Sequence, residues 1–183
     1  MDFLTKTVTL KNGRQCLLRH PEEPDAEMLL HYLRTTSGET PYMVREADEV
    51  RTSIAEEIEF IRKKREDPGA LMLLAFVDGS FAGSCSFAPA GAGNRTRHRC
   101  TASISLYRDF WGMGVGTALL GEIVSAAKAA GYEQMELTVV SANAPAIGLY
   151  QKLGFETTGT IPRAFKYRDG SYADFLFMVK NLV

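Results

Sequence analysis

Apolar positions recur along this chain with two periods, and the change from one to the other divides it into strands and helices. Thr7–Leu10 and Gln15–Arg19 are short β-friendly runs on either side of Asn12-Gly13, a turn dipeptide that predicts a hairpin. Beyond Pro21 and Pro24, Met28, Leu29, Tyr32 and Leu33 follow a three-to-four spacing behind Asp25, a residue suited to capping a helix. That helix is expected to give way to a loop over Thr35–Val44. Ser53 and Glu56 form a capping box, and Ile54, Ile58 and Ile61 mark one face of a second helix that ends in the charged, solvated run Arg62–Asp67. Ala70–Val77 and Phe81–Phe87 flank Asp78-Gly79, the clearest turn signal in the chain, and read as central antiparallel strands.

The second half repeats these signals. Ala88–Arg97 is a Gly-rich polar loop; its Arg95 and Arg97, with Arg99, read as solvated strand-end cations or as an anion site. His98–Tyr107 alternates with period two, Val115–Ala130 is helical and closes at Gly131, and Glu133–Val140 is a strand with Met135, Leu137 and Val139 on one face. Asn143–Leu153 is a short helix ended by Gly154, followed by strands near Phe155–Ile161 and Tyr172–Lys180 that turn at Asp169-Gly170. The predicted order is β-β-α-α-β-β-β-α-β-α-β-β. The strand–helix–strand unit over residues 101–140 implies parallel pairing through a right-handed crossover, while the hairpins imply antiparallel pairing elsewhere. The predicted class is α/β: a mixed, mostly antiparallel sheet with a central parallel pair and flanking helices. A chain of 183 residues fits one domain, spanning 1–183.

Charge and composition narrow the partners. A net charge of −1 and a pI near 6.3 give no nucleic-acid or anionic-membrane surface, which leaves a small molecule or a peptide. The start Met-Asp-Phe-Leu-Thr-Lys has no apolar signal segment, and no run approaches the ~20 apolar residues of a membrane helix, so a cytoplasmic protein is expected. Cys16, Cys85 and Cys100, with His20, His31 and His98, are scattered, which gives neither a disulfide framework nor a metal spacing.

The candidate chemistry centres on Phe110–Leu120. Gly112, Gly114 and Gly116 stand between a strand and a helix, where free N–H groups and the helix dipole favour an anion such as a pyrophosphate. A tight strand-to-helix turn also selects glycine. Dinucleotide spacing fails at Thr117 and Leu119, and the P-loop Lys is missing. Trp111 through Gly116 resembles the acetyl-CoA motif R/Q-x-x-G-x-G/A of the GCN5-related N-acetyltransferases, the GNAT superfamily. Downstream, Asn143, Ala146, Leu149-Tyr150 and Leu153-Gly154-Phe155 resemble its N-x-x-A-x-x-L-Y-x-x-x-G-F pattern. Two motifs in the right order, about thirty residues apart, carry the resemblance over nearly the whole chain. Trp111 departs from it, occupying the position of Arg or Gln, either as a ligand contact or as a large residue packed under the turn.

The resemblance implies the GNAT acyl-CoA N-acyltransferase fold and acetyl-CoA as cofactor. It also implies acetyl transfer to a primary amine of a small molecule, amino acid or peptide N-terminus, by direct attack in a ternary complex. On this expectation the backbone of Trp111, Gly112, Met113, Gly114, Val115, Gly116 and Thr117 holds the pyrophosphate. The strand before it splays from its neighbour, so that a backbone N–H near Leu106 meets the thioester carbonyl, and Asn143 and Tyr150 contact the cofactor. Tyr150 is the expected general acid: a phenol with a pKa of ~10 stays protonated at neutral pH and can protonate a departing thiolate. Asn143 alone would read as a helix cap, and Tyr150 alone as a core tyrosine.

No base is evident. The strand Thr101–Leu106 carries Thr101, Ser103 and Ser105 but no carboxylate, leaving Glu39 or a water chain. His98 and Cys100 share a strand face and suggest a thiol–imidazole pair for a ping-pong route, although packing explains such neighbours more simply. Asp174 could meet a cationic acceptor, and Arg163, Lys166 and Arg168 an acidic one. A non-catalytic acyl-CoA sensor and a transferase for longer acyl chains are alternative readings. The resemblance is also compatible with a homodimer.

Overall fold

Twelve strands and helices follow one another in the predicted order, in a computed structural model that describes residues 1 and 3–183. They are β1 (Lys6–Thr9), β2 (Gln15–Arg19), α1 (Ala26–Glu39), α2 (Ile54–Glu66), β3 (Leu71–Val77), β4 (Ser80–Pro89), β5 (Arg99–Leu106), α3 (Val115–Ala129), β6 (Gln134–Val140), α4 (Ala144–Lys152), β7 (Glu156–Lys166) and β8 (Tyr172–Asn181). The strands form one eight-stranded sheet in the order β1-β2-β3-β4-β5-β6-β8-β7. Every neighbouring pair is antiparallel except β5–β6, the expected parallel pair.

Period-two alternation in β3 assigns the helices to the two faces. Leu71, Leu73, Ala75 and Val77 join the larger core cluster with Leu119, Leu120 and Ile123 of α3. Leu74, between them in sequence, points the other way into a cluster with Leu29 and Tyr32 of α1 and Ile61 of α2. A strand buried on both faces needs a continuous apolar run, which Leu71–Val77 supplies.

Three local expectations change. α1 continues to Glu39 through residues assigned to a loop; Thr36 is buried there, and its hydroxyl donates to the Tyr32 carbonyl at 2.8 Å, so packing outweighs the weak helix preference of Thr-Thr-Ser-Gly. Ile54 is half exposed, which leaves Ile61 as the inward anchor of α2. The Ser53–Glu56 capping box forms as read. β7 runs five residues past Ile161 at the sheet edge, exposed at every position except Phe165. Its pairing with β8 shifts register twice, around Thr157/Gly159 and Ile161/Phe165, and Arg163 in the second irregularity has a positive φ of 54°. No helix among the described residues is long and apolar enough to cross a membrane.

Candidate active site

β5 and β6 pair over three rungs only, Arg99–Gln134, Cys100–Met135 and Thr101–Glu136, and then part. The Arg99 guanidinium, on the first of these rungs, clasps Glu136 on the third at 2.5 and 3.1 Å, and Glu136 is almost fully buried. Arg99 is therefore a structural cation, not an anion site. Beyond the fork lies a cleft of about 1080 Å³, walled by β5 and the start of α3 on one side and by β6 and α4 on the other.

The β4–β5 ladder shows which main-chain groups face this cleft. Ala90 N–H donates to the Arg99 carbonyl and Tyr107 N–H to the Ala82 carbonyl, so the odd-numbered residues from 99 to 107 bond towards β4. The N–H groups of Ile104 and Leu106 are left on the side from which β6 has parted. Leu106 is held from both ends: its carbonyl accepts the Trp111 indole N–H at 3.1 Å, and Gly83 packs so closely that a Cβ there would fall on the Ser105 carbonyl and the Leu106 backbone. Trp111, 41% exposed, thus lines the cleft and ties the glycine turn to the end of β5, a role neither sequence reading described.

The three glycines serve different needs. Gly112 and Gly114 have φ of 74° and 91°, a left-handed conformation, with open space where a side chain would be. Gly116 is helical and needed for packing, since a Cβ would lie 3.0 Å from Leu149 of α4. The first bond of α3 runs from Ala118 N–H to the Gly114 carbonyl, which leaves the N–H groups of Val115, Gly116 and Thr117 without helical partners. Val115 is fully buried and Met113 accepts a 3.7 Å contact from Arg14, so those two have only their main chain to offer the turn.

Opposite, Asn143 caps α4, its Oδ1 accepting from Ala146 N–H at 3.3 Å, and it lines the cleft. Tyr150 is 7% exposed, and burial pushes its phenol well above the ordinary value. The hydroxyl makes no hydrogen bond among the described residues, and no buried side-chain oxygen there lacks a partner, so it opens into the cleft. Lys152, at the far end of α4, donates to the Thr117 hydroxyl at 3.3 Å and bridges the two walls. At the near end Tyr42 donates to the Ala142 carbonyl at 3.3 Å, laying the loop that carries Met43 and Arg45 along the opening. Arg168 pairs with Glu46 and Asp48 and ties the same loop to the β7–β8 turn. Lys152 and Tyr42 were missed in the sequence because their partners lie 35 and 100 residues away along the chain, and Arg45 because nothing local marks it as lining the cleft.

Other candidates are placed elsewhere. Glu39 accepts the Arg108 N–H at 3.0 Å and caps a short 3-10 turn outside the cleft wall. Asp174 accepts the Arg163 N–H at 2.8 Å, and the Arg163 guanidinium lies over the Tyr172 ring. Cys100 is fully buried, its thiol is pushed up to about 12 by burial and Glu136, and its Sγ points to the Gln134 carbonyl, so the ping-pong thiolate has no basis. None of the described residues lining the cleft is Asp or Glu.

The sequence matches the family model for the acetyltransferase (GNAT) family over residues 28–155. Among curated proteins it is 36% identical over 80 residues to the L-methionine sulfoximine/L-methionine sulfone acetyltransferase of Pseudomonas aeruginosa, 44% of this chain and 46% of that protein. It thus spans about half the length of that relative. It is 33% identical over 116 residues to the L-amino acid N-acetyltransferase AaaT of Escherichia coli, 62% of this chain and 69% of that one. Among solved structures, an acetyltransferase of the GNAT family from Streptococcus pneumoniae superposes with a TM-score of 0.84 at 31% identity, covering 91% of this chain and 98% of its own. The phosphinothricin acetyltransferase Pat of Sinorhizobium meliloti, in complex with AcCoA, shares the fold with a TM-score of 0.80 at 23% identity, covering 95% and 89%.

Proposed function

The chain belongs to the GNAT acetyltransferase family, and from that premise we propose that it is an acetyl-CoA-dependent N-acetyltransferase acting on small amines by direct attack in a ternary complex. The observation that carries this reading is the convergence, in one cleft, of a strand fork with free N–H groups, a left-handed glycine turn opening a helix, and the buried Tyr150 hydroxyl.

The residues fit the cofactor. The open space at Gly112 and Gly114 admits a bulky anion where any side chain would intrude, and the unpartnered N–H groups of Val115, Gly116 and Thr117 at the start of α3 suit a pyrophosphate, with Lys152 beside them. When bound, acetyl-CoA supplies an activated acetyl group as a thioester. The Leu106 N–H polarises a carbonyl placed at the fork, Asn143 contributes an amide at the head of α4, and Tyr150 holds a proton for the departing thiolate. Burial keeps that proton on the phenol throughout the neutral range.

The acceptor end lies near Tyr42 and Arg45, about 13 Å of helix from Lys152. A wall with Arg45 and no carboxylate suits an acceptor bearing an anionic group beside its amine, such as an amino acid, or a peptide through its N-terminus. The named relatives acetylate amino acids or their analogues, which agrees. Without a wall carboxylate, the ammonium proton leaves through water in the open cleft. Calorimetric titration with acetyl-CoA, followed by thiol release against amines, amino acids and dipeptides, tests the proposal. Acceptor-dependent release is expected; tight binding without release from any acceptor would indicate a sensor. Cytoplasmic residence, one domain over 1–183 and a homodimer complete the proposal.

A further inference from the structure

The peptide between Ser105 and Leu106 has an unusual anchor on its carbonyl side. Ser84 and Ser105 face each other across β4–β5 at a position where the ladder would join Ser84 N–H to the Ser105 carbonyl. The Tyr32 hydroxyl, arriving from α1, meets both residues at this rung. It donates to the Ser105 carbonyl, accepts the Ser84 N–H at 3.2 Å, and also contacts the Ser105 hydroxyl. Its ring is 1% exposed and fixed edge-on between Phe81 and Tyr107, each 5.0 Å away centre to centre. A fully buried phenol is costly unless its oxygen is satisfied, and here it is satisfied by three groups. Burial pushes its pKa up to about 12, so it remains a donor at neutral pH.

A trans peptide is planar, and its C=O and N–H point in opposite directions. Fixing the Ser105 carbonyl towards β4 therefore fixes the Leu106 N–H towards the cleft. A donor on the carbonyl of an amide also draws electron density from its nitrogen, which makes the N–H a stronger donor. We propose that Tyr32 is a positioning residue for the transfer reaction, orienting and polarising the Ser105–Leu106 peptide so that its N–H stabilises the developing charge on the thioester oxygen. This rests on the reading of the cleft as an acetyltransferase site. Tyr32 never touches the reacting atoms. Gly83 below the peptide and the Trp111 indole on the next carbonyl restrict the same unit from two more sides.

The test uses the full chain with acetyl-CoA carrying carbon-13 at the carbonyl. Infrared difference spectra should show the bound thioester stretch moved to lower wavenumber than in water. Tyr32→Phe keeps the ring packing and removes the hydroxyl. The stretch should return most of the way to its free value, kcat should fall about 10- to 100-fold, less than for outright loss of an oxyanion donor, and acetyl-CoA affinity should hold within about twofold. Replacing Tyr32 with 3-fluorotyrosine, a more acidic donor of nearly the same shape, should move the stretch further down, and provides the test if the Phe variant folds poorly. An unchanged stretch and kcat in Tyr32→Phe, or no response to fluorination, would overturn the relay. If the wild-type protein neither binds acetyl-CoA nor shifts its stretch, the acetyltransferase reading itself fails, and the relay with it.

Discussion

The β5–α3 wall of the cleft presents main chain to the space between the strands, whereas the β6–α4 wall presents side chains. On the first, the Leu106 N–H and the free amides after Gly114 are the groups on offer, and side chains such as Trp111, Tyr32 and Val115 brace them from behind or beside. On the second, Asn143, Tyr150 and Lys152 project from a nine-residue helix in which Tyr150 alone is buried. The two walls should therefore respond to mutation differently. Main-chain chemistry tolerates a new side chain wherever the backbone conformation survives, which is how Trp111 can stand at the Arg or Gln position of the motif it resembles. Side-chain chemistry tolerates backbone drift but not loss of a functional group.

The sharpest way to break this contrast is at Gly114. Gly114→Glu places a Cβ on a left-handed residue, costing about 1–2 kcal/mol, and a negative charge at the start of α3. Acetyl-CoA affinity should fall by about 1000-fold in calorimetry, while Gly121→Ala, an exposed-space position further along the same helix, should leave it unchanged. On the side-chain wall, Tyr150→Phe should lower kcat about 100-fold and leave acetyl-CoA affinity intact, the ratio expected for loss of a general acid. Equal losses in affinity and turnover would show that Tyr150 packs against the cofactor instead.

The pH profile separates enzyme groups from acceptor groups. Since the wall has no carboxylate, the acid limb of kcat/KM should follow the acceptor's own ammonium, moving up by about 2.5 units from an α-amine to a lysine-type amine. The alkaline limb due to Tyr150 should lie above pH 10, because burial raises the pKa at which its proton is lost. A limb fixed near pH 5 for every acceptor would point to a hidden carboxylate base. Smaller still, Asn143→Ala should cost about 1 kcal/mol of stability through the lost cap, read as a lower Tm, and a few-fold in turnover. Trp111→Phe should cost about 1 kcal/mol by removing the indole donor from Leu106, with at most a fivefold change in kcat.

What could be read from sequence follows the same division by distance along the chain. The glycine turn, the Ser53–Glu56 box and the Asn143 cap are contiguous devices whose partners lie within a few residues, so spacing alone reveals them. The Tyr32 hydroxyl meets groups 52 and 73 residues away, and Tyr42 reaches a carbonyl 100 residues away. No local pattern distinguishes those tyrosines from core or surface ones. Glu39 and Asp174 failed as site residues for the complementary reason: acidic side chains near turns are ambiguous until the backbone amides they cap are known. The resemblance supplied the splay of β5 from β6, which strand patterning cannot show, because a strand that loses its neighbour keeps its alternation.

The broken register of β7 bears on how the protein behaves when concentrated. An edge strand of eleven residues offers a template to which another extended chain can bond, and such addition is how sheets grow into fibrils. Here no stretch in register with β8 exceeds three residues, Pro162 removes one donor, and Arg163 bends the strand at a left-handed φ. An incoming chain would find only fragments of a ladder, so this edge can stay open to solvent without seeding polymer.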